Sequence, residues 1–327
     1  MSYGRLNKPR FYMDIPNWQF SKGRSRDSTI ALNTGGTTVA LAAGSTKYQL
    51  FDMDPLNKAT FSTGTGTGTV SIKIDLGLNN LDPDFVCIMN HNLKTADGKI
   101  RVASAESAIA EAGGADVTMT EVFNADITGN IAFPDNDGDS LFTFVKTGHR
   151  YYVVEFYDVD TWDANLTVGE IVLGEYYTMP SSPDGLVTKG TAFEGVQKRR
   201  SYGGKTFATA GYIAPSTETY TPFRYGSGSI GRQMAGRETV AFDMPLVADT
   251  NVYPSDRGTI VTNTENSFLF DVVNKSAMDL LPFIFCYDST SVLLGDYMYA
   301  RFDQNIFESV RQAYQLESYN LKIVQEF

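Results

Sequence analysis

The chain has 327 residues, 38 of them acidic and 27 basic, for a formal net charge of −11. A hydrophobic share of 42% with 20% charge is that of a globular protein, long enough for two domains with real cores. Two cysteines, Cys87 and Cys286, cannot build a disulfide framework, and only His91 and His149 are available to any histidine-based triad or metal site.

In chain order, residues 1–26 hold Arg5, Lys8, Arg10, Lys22, Arg24 and Arg26 against Asp14 alone, and read as an extended basic arm belonging to the first domain. That domain is expected over residues 27–180. Thr63–Thr69 (TGTGTGT) reads as a hairpin loop. Val70, Ile72, Ile74 and Leu76 alternate with Ser71, Lys73 and Asp75, the period of a half-buried strand. Phe85–Met89 is a continuous apolar run, as in a strand covered on both faces. Ser104–Ala112 is Ala-rich and predicts a short helix ending at Gly113-Gly114, while Arg150–Tyr157 and Leu166–Leu173 predict two further strands.

Met179–Gly185, with two prolines and a glycine, marks a boundary, and residues 187–327 read as a second β-rich domain. A short helix is predicted near 265–281 from Phe268, Leu269, Val272, Val273, Ala277 and Leu280, stopped by Pro282. From Tyr319 to Phe327 the pattern alternates again, so this region ends on a strand. Many short strands with few helices define an all-β chain: two β-sandwich or jelly-roll-like domains with one or two short helices.

Charge is unevenly placed. Between Glu106 and Asp184 there are 15 acidic residues against Lys146 and Arg150, a local net of −13, so the remainder sums to +2. Residues 189–237 hold eight basic residues, Arg199 and Arg200 among them, against Glu194 and Glu218. Complementary potentials fix register and partner choice, so basic and acidic surfaces are expected to meet between neighbouring copies, with Arg5, Lys8, Arg10, Arg199 and Arg200 as interface residues. The dominant acidic field disfavours nucleic acid as a partner. The N-terminus lacks the apolar core of a signal peptide, and the longest apolar run, Leu280–Tyr287, is too short to span a bilayer, so no membrane insertion is expected.

Motifs that carry chemistry are few. Gly226–Gly231 matches G-x-G-x-x-G but has no βαβ rhythm around it, so it reads as a surface loop. Asp135, Asp137 and Asp139 around Gly138 form the one candidate cation site; in a calcium-loop register the first and last ligand positions fall on Phe133 and Phe144, which cannot ligate, so an acidic turn is the favoured reading. His91 in Met89-Asn-His-Asn-Leu93 has no nucleophile motif to serve; it, Asn90 and Asn92 are expected to hydrogen-bond the turn leaving their strand. Trp18 and Trp162 read as core or contact residues rather than sugar platforms. No catalytic residue and no resident cofactor are expected.

Several segments then fall into a familiar order: Phe51-Asp-Met-Asp-Pro-Leu-Asn57, the strand ending Asp75-Leu-Gly77, Met89-Asn-His-Asn-Leu93, Arg150-Tyr-Tyr, and Gly169-Glu-Ile-Val-Leu-Gly174. Over residues 9–175 this resembles the discoidin-like, or galactose-binding-like, jelly roll. With Pro9-Arg-Phe-Tyr-Met-Asp14 it is similar to the structural proteins of tailed bacteriophages. That resemblance implies a non-enzymatic virion component of a tail tip, baseplate or neck, assembled in the host cytoplasm and contacting its own copies and other virion proteins. The alternative it implies is a carbohydrate-binding, receptor-recognising protein whose jelly-roll loops contact host-surface glycan, with Tyr48 and Phe51 as the candidate contact residues.

Overall fold

The computed structural model describes residues 7–32, 39–77, 81–107, 115–158, 160–183, 187–192, 197–209, 237–254 and 267–326. The chain is all-β, built from sandwiched sheets whose named strands all pair antiparallel. One sheet has eleven strands. In spatial order its main path runs Thr188–Ala192, Arg237–Ala248, Leu316–Gln325, Tyr297–Phe302, Phe283–Cys286, Arg10–Asp14, Glu170–Thr178, Phe85–His91, Gly138–Phe144 and Met119–Phe123, with Ser309–Ala313 added beside Leu316–Gln325. A second sheet of seven strands runs Ile30–Leu32, Thr69–Asp75, Tyr151–Tyr157, Lys99–Ala105, Ile131–Pro134 and Ala125–Thr128, with Ala115–Asp116 beside Lys99–Ala105.

The alternation read from the sequence sets the packing. Val70, Ile72 and Ile74 face Val86, Ile88, Ile171 and Leu173 across the sandwich, in a core that also holds Phe51, Phe61, Tyr152 and Trp162. Burying each such side chain contributes roughly 1.5–3 kcal/mol. Phe85–His91 is buried at every position because its other face, Phe85, Cys87 and Met89, packs with Tyr12, Val172, Ile284 and Tyr299. The large sheet curls over that face until Phe123 on its edge strand lies 4.9 Å, ring to ring, from Tyr297, six strands away.

Residues 10–14 have a position that their basic surroundings do not announce. The strand Arg10–Asp14 is interior, pairing with Glu170–Thr178 on one side and Phe283–Cys286 on the other. The two halves of the chain therefore share one sheet through it. Gly174 lies opposite Asp14, and a Cβ there would collide with the carbonyl oxygen of Met13. On the C-terminal side, Phe11, Met13, Phe242, Phe285, Leu321 and Ile323 form a further core.

Other departures have local causes. The strand expected over Leu166–Leu173 is split: Leu166–Val168 pairs with Ala59–Phe61, and Glu170–Thr178 joins the large sheet. Gly169 makes the break, because a Cβ there would run into the Pro55 carbonyl. Ser104 lies in the strand Lys99–Ala105 instead of opening a helix, and residues 108–114 fall outside the described set. A helix the apolar period does not reveal, Ile15–Ser21, is started by Asp14, whose side chain accepts the Asn17 N–H, with Pro16 in its first turn. The helical segment near 265–281 includes a π-type turn, Leu269–Asn274. No helix is long and apolar enough to cross a membrane among the described residues.

Candidate functional site

Buried ionisable groups mostly hold the two halves together. Lys275, fully buried, pairs with Glu175 and lies 3.1 Å from Asp271, while Lys146 reaches Glu175 at 3.6 Å and Asp84 at 3.9 Å. Burial opposes charge on Glu175, but the two lysines outweigh it and hold the carboxyl below its ordinary range. Burial dominates at Asp84 and pushes it up to about 7. Glu170, inside the curled sheet, accepts from the Tyr299 hydroxyl at 3.1 Å; burial first, then Asp14, drive it well above the carboxylate range. Asp14 itself is pushed up to about 7 by burial, against its two bonds from Asn17.

The Asn90-His91-Asn92 segment staples the turn leaving its strand. His91 Nδ1 accepts the Leu93 N–H at 3.3 Å, which places the proton on Nε2, 2.9 Å from Ser140 Oγ. Burial lowers the imidazole to about 4, so it stays neutral at ordinary pH. Asn90 Nδ2 donates to the Pro55 carbonyl, and Asn92 bonds Asn165 and Thr167. His149 bonds Ser104 Oγ at 2.9 Å. Trp162 is a core residue donating to the Gly68 carbonyl, and Trp18 donates to that of Asn274.

The residues singled out from the sequence do not form one site. Asp139 is buried and accepts the Asn90 N–H, Asp137 caps Thr95, and Asp135 is exposed. Among the described residues no three His, Cys, Asp or Glu side chains are placed to hold a metal ion. Phe51 has no exposed surface and belongs to the core, so it cannot meet a glycan in solvent. Tyr48 is half-buried; its hydroxyl donates to Asp27, which Lys47 also approaches at 3.1 Å. Arg10 is committed within its own chain, bonding Thr178 and Tyr12 with its guanidinium 4.3 Å from the Tyr176 ring centre, rather than forming part of a free arm. Lys8, Arg199 and Arg200 are exposed, whereas Arg5 and the loop Gly226–Gly231 lie outside the described residues.

The open feature lies in the other half. A groove of about 820 Å³ runs across the outer face of the C-terminal strands. Three local causes shape it. The strand Arg237–Ala248 shifts register between Met244 and Val247, where Pro245 lacks an N–H and Leu246 adopts a φ of 53°. Residues 303–308 loop away from Leu316–Gln325, held by the Asp303 N–H on the Lys322 carbonyl and by the Lys322 N–H on Gln304 Oε1. The hairpin Ser309–Ala313/Leu316–Gln325 then forms its far wall.

Alternation decides which side chains enter. Tyr319, Leu321 and Ile323 face the core, so Ser318, Asn320 and Lys322 face the groove. Asn320 Nδ2 donates to Asp243 Oδ1 at 2.6 Å, and Gln312 Nε2 to Ser318 Oγ at 2.8 Å. Gln304, Asn305 and Glu308 add further polar groups, while Leu246, Ile306 and Val310 are exposed large apolar side chains on its walls. Planar amides and two carboxylates offer paired donors and acceptors, and the aliphatic groups offer a surface for C–H faces. Sequence reading passed over these residues. The signal was the density of amides after Phe302, at Gln304, Asn305, Gln312, Gln315 and Asn320, combined with strand alternation that aims Asn320 away from the core.

No family model matches the chain, and no curated protein matches it in sequence. Among solved structures it is similar to chitosan-binding module 1 of a chitosanase/glucanase from Paenibacillus sp. IK-5, at 13% identity and a TM-score of 0.32, over 44% of this chain and 92% of that one. It is also similar to the lectin domain of lectinolysin complexed with Lewis b antigen, at 13% identity and a TM-score of 0.30, over 45% and 91%. A third is CBM32-1 from a family 31 glycoside hydrolase of Clostridium perfringens, at 9% identity and a TM-score of 0.31, over 44% and 93%.

Proposed function

We propose that the protein is a non-enzymatic recognition protein that binds carbohydrate in the C-terminal groove. The observation that carries this reading is the groove's lining: amides at Gln304, Asn305, Gln312 and Asn320 beside exposed Leu246, Ile306 and Val310. A pyranose presents this same mixture of vicinal hydroxyls and apolar C–H faces. A glycan array, followed by calorimetry on the best ligand, tests it. Binding that weakens in Asn320→Ala and Gln304→Ala, with the oligosaccharide recovered intact, is expected; a blank array overturns the reading, and new reducing ends overturn its non-enzymatic part.

A second reading is assembly into a virion as a structural component. One observation favours it: Leu246, Ile306, Val310 and Tyr314, all more than half exposed, sit with an open strand edge at Ser309–Ala313. Sedimentation with and without the bound glycan separates the two readings. Oligomers that Val310→Lys dissolves favour assembly through this rim.

A further inference from the structure

A different pair of surfaces points to how copies of this chain meet, independently of what the groove holds. The strands Gln197–Arg200 and Thr206–Thr209 form a two-stranded ribbon that joins no other sheet among the described residues. Its turn is closed by the Ser201 N–H on the Lys205 carbonyl and by the Gly204 N–H on that of Ser201, with Gly204 at a φ of 83°. Arg199, Arg200 and every residue from Ser201 to Lys205 are exposed, and Tyr202 is fully so. Residues 197–209 hold Lys198, Arg199, Arg200 and Lys205 and no acidic residue. A lone two-stranded ribbon is marginal in water and gains from packing against something else.

At one end of the sandwich the opposite charge collects. The loops there are tied together: Asp137 caps Thr95, the Asp163 N–H donates to the Ala96 carbonyl, and Lys99 reaches Asp158 at 3.0 Å. This brings Asp97, Asp135, Asp137, Asp160 and Asp163 to one rim, all exposed. The neighbouring cations are Lys94, which is exposed, Lys58, half-buried, and Lys99, which is buried against Asp158 and 3.9 Å from Asp97. The rim keeps a net negative charge.

We infer that the basic ribbon of one copy docks on the aspartate rim of a second copy, with Tyr202 in its turn as the aromatic anchor beside the arginines. The two patches are different surfaces of one chain, so the contact either closes as a reciprocal two-fold dimer or repeats head-to-tail into a ring or a filament. The role expected of a free N-terminal arm falls instead to residues 197–209.

Sedimentation velocity on the full chain tests this, at salt of about 0.03 M and about 0.5 M, between which screening collapses exposed charge pairing. The wild type is expected to associate with rising concentration at low salt and to run as a monomer at high salt. Arg199→Glu/Arg200→Glu and Asp160→Lys/Asp163→Lys are each expected to raise the dissociation constant at least ~10-fold, while their mixture regains association. Thermal melts unchanged from wild type show that the variants are folded, and the salt arm needs no variant. A wild type that stays monomeric at low salt overturns the inference, as does association unaffected by either reversal. Retention of the full chain on heparin through Arg199 and Arg200, without self-association, overturns it in favour of a polyanionic partner.

Discussion

In the N-terminal half, the sheet face that bears Cys87, Val172 and Tyr12 curls shut until Phe123 meets Tyr297. In the C-terminal half, the continuation of the same face, with Asp243, Asn320 and Lys322, stays open to water as the groove. The difference lies in what each strand offers at alternate positions. Phe85–His91 has no polar side chain on either face until Asn90 and so must be covered twice, whereas Leu316–Gln325 alternates Tyr, Leu and Ile with Ser, Asn and Lys and needs one cover only. A shared sheet thus provides a sealed scaffold at one end and an exposed polar surface at the other.

The comparison breaks most completely at the strand the halves share. Gly174→Ala forces Arg10–Asp14 away from Glu170–Thr178, and Lys275→Met leaves Glu175 and Asp271 without their buried cation. Each is expected to cost on the order of 3–5 kcal/mol in urea denaturation. Both halves are expected to unfold in a single transition, because residues 10–14 belong to both cores. Two separate transitions in the wild type would show that the halves are independent.

Asp14 sharpens the same point through pH. Its folded pKa, about 7, lies above the unfolded value, so the folded state binds more protons between the two. Stability from this group is fully present below the unfolded pKa and lost as pH rises toward 7, at up to about 1.4 kcal/mol per pH unit. Asp14→Asn removes that slope, so its stability relative to wild type is expected to climb from pH 4 to pH 7. His91, lowered to about 4, works in the opposite sense, losing stability as pH falls from its ordinary value; it is common to both proteins and cancels in the difference. A difference that is flat with pH would mean that Asp14 is not held protonated.

How much of this was legible in the sequence follows from the same alternation. The strands around 70–75 and 319–325 were visible because their side chains repeat with the pleat, that at 85–89 because it is a continuous apolar run, and the all-β class came with them. Long-range pairing was not visible. Nothing in Arg10–Asp14 announces that it will lie between residues 170–178 and 283–286, since its basic neighbours argue for a surface arm. Phe51 showed the aromatic type wanted for a sugar contact, but only the fold decides that it points inward. The groove stayed hidden for a related reason: it depends on a bulge at Leu246 and a detour at 303–308, neither of which has a periodic signature.

Smaller effects separate the two regions functionally. Asn320→Ala removes one hydrogen-bonding side chain at the groove, and is expected to weaken glycan binding about 5- to 10-fold while changing stability by no more than about 0.5 kcal/mol. Tyr48→Phe deletes the bond to Asp27 at the sealed end and is expected to leave both binding and melting unchanged.

The most direct test of the central claim is amide hydrogen exchange on the intact chain with and without the best array ligand. New protection is expected in residues 303–322 and around Leu246, with residues 45–58 and 90–98 unchanged. Protection confined to residues 45–58 or 90–98 would contradict it and place recognition at the sandwich loops.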